Sequence, residues 1–157
     1  MLHLRVIAIG QLKERFWKDA CAEYLKRLKP YAEVSVVELA DVDPTRAGGE
    51  EAAVLREGEA VLRTLQPGER VILLDINGKE VTSPGMAKTL EDLPLEGVND
   101  IAFVIGGSCG VSKAVRERAD SRWSFGRITL PHNLARVVLL EQLYRAFKIQ
   151  RGEPYHK

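Results

Sequence analysis

The run Ile101-Ala102-Phe103-Val104-Ile105-Gly106-Gly107-Ser108-Cys109-Gly110 decides how the rest of the chain is read. Its first half is continuously apolar, too short for a buried helix and without the alternation of a half-exposed strand, so it reads as a strand covered on both faces. Strands of that kind belong to parallel sheets flanked by helices. The glycines that follow open the backbone at the carboxyl end of the strand, which is where open α/β sheets bind ligands.

Working outward, the same grammar repeats on both sides. Val71 to Ile76 is a strand of β-branched residues and leucines broken by the turn signal Asn77-Gly78, and a short helix from about Ser83 to Asp92 leads on to the apolar run. A helix containing Ala114 and Val115 follows the glycines, then a short strand from Ser121 to Phe125. Nearer the amino terminus, Leu2 to Ile9 reads as a strand ending at Gly10. Phe16, Trp17, Ala20, Cys21, Tyr24, Leu25 and Leu28 recur at helical spacing up to Pro30 and predict one buried helical face. Val34 to Leu39 is another strand, and a loop bearing Asp43, Pro44, Gly48 and Gly49 precedes a helix carrying Val54, Gly58, Val61, Leu62 and Leu65. Alternating strands and helices predict an α/β fold, a mostly parallel sheet with helices on both faces, in a single domain spanning 1–157.

The last forty residues differ in texture. Ile128 to Leu130 is an apolar run ended by Pro131-His132, and a helix is predicted from about Leu134 to Ile149. Val137, Val138, Leu139 and Leu140 sweep most of the way round it, with Leu143, Tyr144 and Phe147 widening the apolar surface. Such a helix needs two partners, its own sheet and, on this reading, a second copy of the chain. Glu141 and Arg145 stand at i, i+4 in the favourable order, a helix-supporting pair set against an RNA-facing role for Arg145.

Composition narrows the function. The net charge is +1, from 23 Lys plus Arg against 22 Asp plus Glu, so charge alone does not hold naked nucleic acid and any such contact must be local. The two cysteines and three histidines form no metal-ligand spacing, so no metal is expected. No apolar run reaches membrane-spanning length and no cationic, apolar leader is visible, so a soluble, cytoplasmic protein without membrane contact is expected.

Chemistry is sought at the segments after the third, fourth and fifth strands: Leu74 to Lys79, Gly106 to Gly110 and Gly126 to His132. Gly-Gly-Ser-Cys-Gly fits neither the dinucleotide fingerprint nor the phosphate loop, and a plain tight turn competes with a ligand contact there. His132 can orient a helix entrance or titrate near neutrality, and Arg136, one turn on, can reach a phosphate or carboxylate or simply form a surface ion pair. The tail Arg151 to Lys157 sets Tyr155 beside His156 and cationic groups, a mix suited to stacking on a base and touching phosphate.

Taken together, Leu-Asp-Ile-Asn-Gly-Lys (74–79), Val-Ile-Gly-Gly-Ser-Cys-Gly (104–110), Thr-Leu-Pro-His (129–132), Arg-Val-Val-Leu-Leu-Glu-Gln-Leu-Tyr-Arg-Ala (136–146) and the terminal Pro-Tyr-His-Lys resemble the bacterial 23S rRNA pseudouridine N3-methyltransferases known as RlmH. The likeness runs over the whole chain in order and spacing. It implies a SPOUT-class domain with a C-terminal trefoil knot, working as a homodimer whose active site is shared between protomers. It also implies S-adenosylmethionine as cofactor, held by Leu74, Gly106 and the segment Phe125, Gly126, Arg127, Ile128, Thr129 and Leu130. The implied substrate is a pseudouridine in helix 69 of the large-subunit RNA, within the assembled ribosome, which reconciles a near-neutral enzyme with an RNA target. Within that resemblance His132 and Arg136 are expected to line the pocket, and Tyr155 and His156 to organise the substrate base. The competing expectations are a ribosome-binding factor without turnover, which would have lost cofactor affinity, and a small-molecule enzyme with a nucleotide cofactor, which would show a full glycine fingerprint.

Overall fold

A computed structural model describes residues 1–157. Five strands form one parallel sheet in the order β2-β1-β4-β3-β5, with β1 at Leu2–Ile9, β2 at Ala32–Leu39, β3 at Arg70–Glu80, β4 at Asp100–Ile105 and β5 at Ser121–Ser124. The helices are α1 (Arg15–Leu28), α2 (Pro44–Ala47), α3 (Glu50–Thr64), α4 (Ser83–Leu95), α5 (Lys113–Arg118) and α6 (His132–Gln150). The α/β expectation with helices on both faces is met.

Handedness places the helices. The crossovers β1→β2 and β3→β4 step one way along the sheet, and β2→β3 and β4→β5 step the other way. Right-handed crossovers therefore send α1 and α4 to one face and α3 and α5 to the opposite one. The strand side chains divide accordingly: Leu4, Val6, Ile101 and Phe103 belong to the larger apolar cluster, with residues of α1, α4 and α6, while Ile7, Ala102 and Val104 join the smaller one with α3 and α5. The sheet's connections change direction between β1 and β4, and a crevice at the carboxyl ends of the strands is expected there.

Several local expectations are corrected. Phe16 is not part of a buried face: it is 63% exposed and packs on Trp17 (ring centroids 4.9 Å), and α1 is buried only at Cys21 and Leu28. Five residues separate β1 from the helix, and the exposure of Phe16 shows that the first turn is not covered by the sheet. Asn77-Gly78 does not end the third strand. β3 resumes its pairing with β5 beyond it, the register slipping between Leu74 and Lys79 opposite Trp123, so the turn signal becomes a bulge. The expected loop bearing Asp43 and Pro44 contains the short α2, which Asp43 caps by accepting from the Thr45 amide and whose first position Pro44 supplies.

The terminal helix starts at His132 and runs to Gln150. Leu139, Leu140, Leu143, Ala146 and Phe147 are buried, and α6 packs on both α1 and α4 over the sheet. Much of its wide apolar surface thus finds partners inside the chain. No helix is long and apolar enough to cross a membrane.

Candidate active site

Three segments meet at the carboxyl end of the sheet and enclose a cleft of about 750 Å³. One is the bulged part of β3 (Leu74 to Asn77), one follows β4 (Ile105 to Val111), and the third runs from β5 into α6 (Arg122 to His132). The volume falls within the range of small-molecule sites. Of the residues singled out from sequence, Leu74, Gly106, Phe125, Gly126, Ile128, Thr129, Leu130 and His132 line it, whereas Arg127 does not.

His132 is the first residue of α6, set by Pro131 in extended conformation at the helix cap. Its ring leans on Gly10 at the end of β1. A Cβ on Gly10 would sit 3.0 Å from His132 Cε1, and Gly10 has φ +109, so only glycine satisfies both the turn and the contact. His132 Nδ1 is buried without a hydrogen-bond partner.

Arg136 departs from expectation. It is 1% exposed, is not a surface ion pair, and is absent from the cleft lining. One guanidinium nitrogen donates to Glu38 Oε2 at 2.5 Å and another to the Gly10 carbonyl at 3.1 Å. Glu38 Oε2 also accepts from the Leu12 amide at 3.1 Å. Burial pushes the Glu38 carboxyl up, but the hydrogen bonds from Arg136 and the Leu12 amide outweigh it and hold the carboxyl below its usual range. The pair therefore pins the β1–α1 turn on which His132 rests. The guanidinium therefore lies outside the cleft of its own chain.

Tyr155 and His156 are likewise not in the cleft of their own chain. Tyr155 lies edge-on to Tyr144 (4.9 Å) and donates to Glu141 Oε1 at 3.4 Å, while His156 Nδ1 meets Arg145 at 3.1 Å. Arg145 pairs with Glu141 at 2.7 Å and stacks over the Tyr155 ring at 4.7 Å. Burial first, and then the Glu141 charge, push the Tyr155 hydroxyl above its ordinary range, so at neutral pH it is a neutral donor and no base. Further along, Glu153 accepts from Tyr31 (2.7 Å) and Lys148 (2.6 Å) and ties the tail to α1's end of the molecule.

Sequence reasoning marked the segment holding Asp75 and Asn77 but missed Arg116 and Arg122 in the cleft's polar lining. Asp75 pairs with Arg122 at 3.2 Å and also accepts from the Asn77 amide, and Arg116 donates to the Val111 carbonyl. Arg122 and Trp123 line the cleft from within β5, and Arg116 from α5. A search confined to loops passes over such residues.

Residues 2–156 match the family described as "Predicted SPOUT methyltransferase". The chain belongs to this SPOUT methyltransferase family. It is 50% identical over 160 residues, covering 100% of both chains, to "Ribosomal RNA large subunit methyltransferase H" of Desulfitobacterium hafniense (strain Y51). The relative of the same description from Pelotomaculum thermopropionicum is 52% identical over 160 residues, 99% of each chain. That from Bacillus pumilus is 45% identical over 159 residues, 99% of this chain and 100% of its own. Among solved structures, an A. aeolicus TrmH/SpoU tRNA modifying enzyme aligns over 95% of this chain and 77% of its own, at 15% identity and a TM-score of 0.48.

The protein is a methyltransferase, and SPOUT methyltransferases use S-adenosylmethionine as methyl donor. The cleft suits that molecule chemically. Leu74, Ile105, Val111 and Leu130 offer apolar wall for a purine, and the glycines at 106, 107, 110 and 126 leave main-chain donors and acceptors uncovered for its edge and ribose. Arg116 and Arg122 supply positive charge for a carboxylate. No group of histidine, cysteine and acidic side chains in the structure could hold a metal ion.

Proposed function

We propose that this methyltransferase methylates N3 of a pseudouridine in helix 69 of large-subunit ribosomal RNA, on the assembled ribosome, and that it does so as a homodimer. The full-length relatives named for the large-subunit ribosomal RNA support the substrate class. The segments that resemble the pseudouridine N3-methyltransferases support the finer choice. A ribosomal substrate would place the enzyme in the cytoplasm, and the chain would act as one unit over 1–157.

The observation that carries the dimer is the position of the tail. Tyr155 is held at Glu141, nine positions beyond His132 on α6, which is roughly 13 Å along a helix rising 1.5 Å per residue. A tail fixed there does not reach its own cleft, so a second copy is the natural source of Tyr155 and His156 at each active site. The C-terminal knot has a related support. The chain leaves β5 at one edge of the sheet and brings His132 to Gly10 at the end of β1, passing the bulge of β3 and the loop after β4 that share the cleft.

S-adenosylmethionine, when bound, supplies an electrophilic methyl group that needs little covalent help. The remaining work falls to the protein. Leu74, the glycine turn and residues 125–130 would bind and orient the cofactor, so that positioning provides much of the rate. The imide nitrogen of the acceptor must lose a proton, and on this reading the role of taking it falls to His132, supported by its position in the cleft lining at the head of α6. Arg136 acts one step removed, by fixing the turn that His132 leans on. Tyr155, kept neutral, and His156 would hold the base from the partner.

The test is methyl incorporation from labelled S-adenosylmethionine into assembled ribosomes, free large subunits and naked RNA from cells lacking the enzyme. Label mainly on assembled ribosomes is the expected result. No label on any of them, with cofactor binding intact, would sink the proposed substrate, and a monomer in gel filtration at micromolar concentration would remove the shared site.

A further inference from the structure

Glu57 is a buried carboxylate that none of the chemistry above uses. It sits in the middle of α3 and is 7% exposed. Oε2 accepts from the Val42 amide at 2.9 Å, which ties it to the loop between β2 and α2. Its other oxygen faces the glycine turn: a Cβ built on Gly107 would lie 2.9 Å from Glu57 Oε1 and 3.1 Å from Ile9 Cγ2. A side chain at 107 would thus press on the carboxylate and on Ile9, and one of them must give way to admit it.

The neighbouring residue tells the same story. Gly58 stands in a helix interior, where glycine is destabilising relative to alanine. A Cβ there would run into the Ser112 side chain, whose hydroxyl caps α5 by accepting from the Val115 amide at 3.3 Å. Glu57 and Gly58 therefore abut the two ends of the segment 107–112, whose inner face lines the cleft. Charged residues are seldom buried without a structural or functional reason, and here the carboxylate occupies the back wall of the ligand turn.

We infer that Glu57 is a positioning residue for the cofactor: its carboxylate sets the glycine turn 106–110 from behind and couples it to the loop at Val42. This rests on the reading that the turn contacts S-adenosylmethionine. Pulling the carboxylate away leaves Gly107 unsupported over a void, and a binding loop without its supporting layer loses its preorganised shape. Glutamine should largely rescue it. The Val42 amide needs an acceptor, so the amide oxygen stays on that side and the NH2 group takes the place of Oε1 with nearly the same bulk.

The experiment measures the Kd for S-adenosylmethionine by calorimetry on the full chain, together with KM for cofactor, KM for ribosomes and kcat. Glu57→Ala should raise the Kd and the cofactor KM about tenfold, the scale of one lost buried polar interaction, and leave the ribosome KM unchanged. Glu57→Gln should stay within about threefold of wild type, as one retained hydrogen bond and conserved shape imply. Gly107→Ala should weaken cofactor binding, and adding Glu57→Asp, which withdraws the carboxylate by one methylene, should restore part of the loss. Glu57→Asp alone reads the same quantity if the alanine variant does not fold. An unchanged Kd in Gly107→Ala would overturn the reading of the turn as a cofactor contact. A weakened Gly107→Ala alongside wild-type affinity in the Glu57→Ala and Glu57→Asp variants would overturn the role of Glu57 alone.

Discussion

The two ends of α6 carry the same kinds of side chain in opposite circumstances. At its head, Arg136 is sealed inside the chain, bonded to Glu38 and to the Gly10 carbonyl, and its Nε has no partner at all. At its foot, Arg145, Lys148 and Arg151 lie over the rings of Tyr31, Tyr144 and Tyr155, and the tail's acidic and histidine groups are within reach of solvent. The head is locked inside the chain, whereas the foot keeps its paired charges near the surface. An arginine's neighbours, and not its distance in sequence from a motif, decide whether it is available to a ligand.

The sharpest break of this contrast is Arg136→Ala. It leaves the Glu38 carboxylate without its cation and opens a large cavity, so urea unfolding should show a loss of about 3 kcal/mol. A loss below about 1 kcal/mol, the scale of an exposed pair, would mean that the head of α6 is not the locked region described. The foot should behave in the reverse way. Truncation after Gly152 removes Tyr155 and His156, and methylation of ribosomes should fall about 100-fold, the lower end of what positioned polar groups contribute, while calorimetric binding of S-adenosylmethionine persists. Full methylation by the truncated chain would remove the tail from the proposed site.

A smaller effect probes the joint between head and cleft. Gly10→Ala forces a left-handed backbone on alanine and sets a methyl group 3.0 Å from the His132 ring, at a cost of about 1–2 kcal/mol in stability. Turnover should drop further than the cofactor Kd changes, because the displaced group is the proposed proton acceptor and not a cofactor contact. Equal changes in both would make Gly10 a general support of the cleft.

Much of this was legible in the chain. The unbroken apolar run at 101–105 and the alternation of strands and helices carried the architecture, and glycines at strand ends located the cleft. What escaped were features set by where an element lies and not by its pattern. Phe16 and Trp17 have helical spacing like Cys21 and Leu28, yet the first turn of α1 is not covered by the sheet. Asn77-Gly78 has the chemistry of a turn, but pairing with β5 on either side absorbs it as a bulge. Arg136 sits beside His132 on the helix, and only the fold shows that Glu38, 98 residues away, takes it inward.

The pH dependence gives the finest test of the difference between the two ends. In the folded chain Glu38 is held below its usual range because the Arg136 and Leu12 donors outweigh burial. A carboxyl lowered on folding contributes stability that is fully present above its unfolded pKa, about 4.3, and is lost as pH falls through the folded value. In an Arg136→Met variant the main donor is gone and burial acts with less opposition, so the carboxyl should move back up and this contribution should shrink. The difference in urea midpoint between wild type and variant should therefore be constant near neutrality and narrow as pH falls through the carboxyl range, as protonation of Glu38 removes the charge that rewards its cation. Glu153 at the foot is also lowered, first by its hydrogen bond from Lys148, but that group is unchanged in the variant and cancels from the difference. A gap that stays constant with pH would show that Arg136 holds the head of α6 through its bulk and its bond to Gly10, with the charge of Glu38 contributing little.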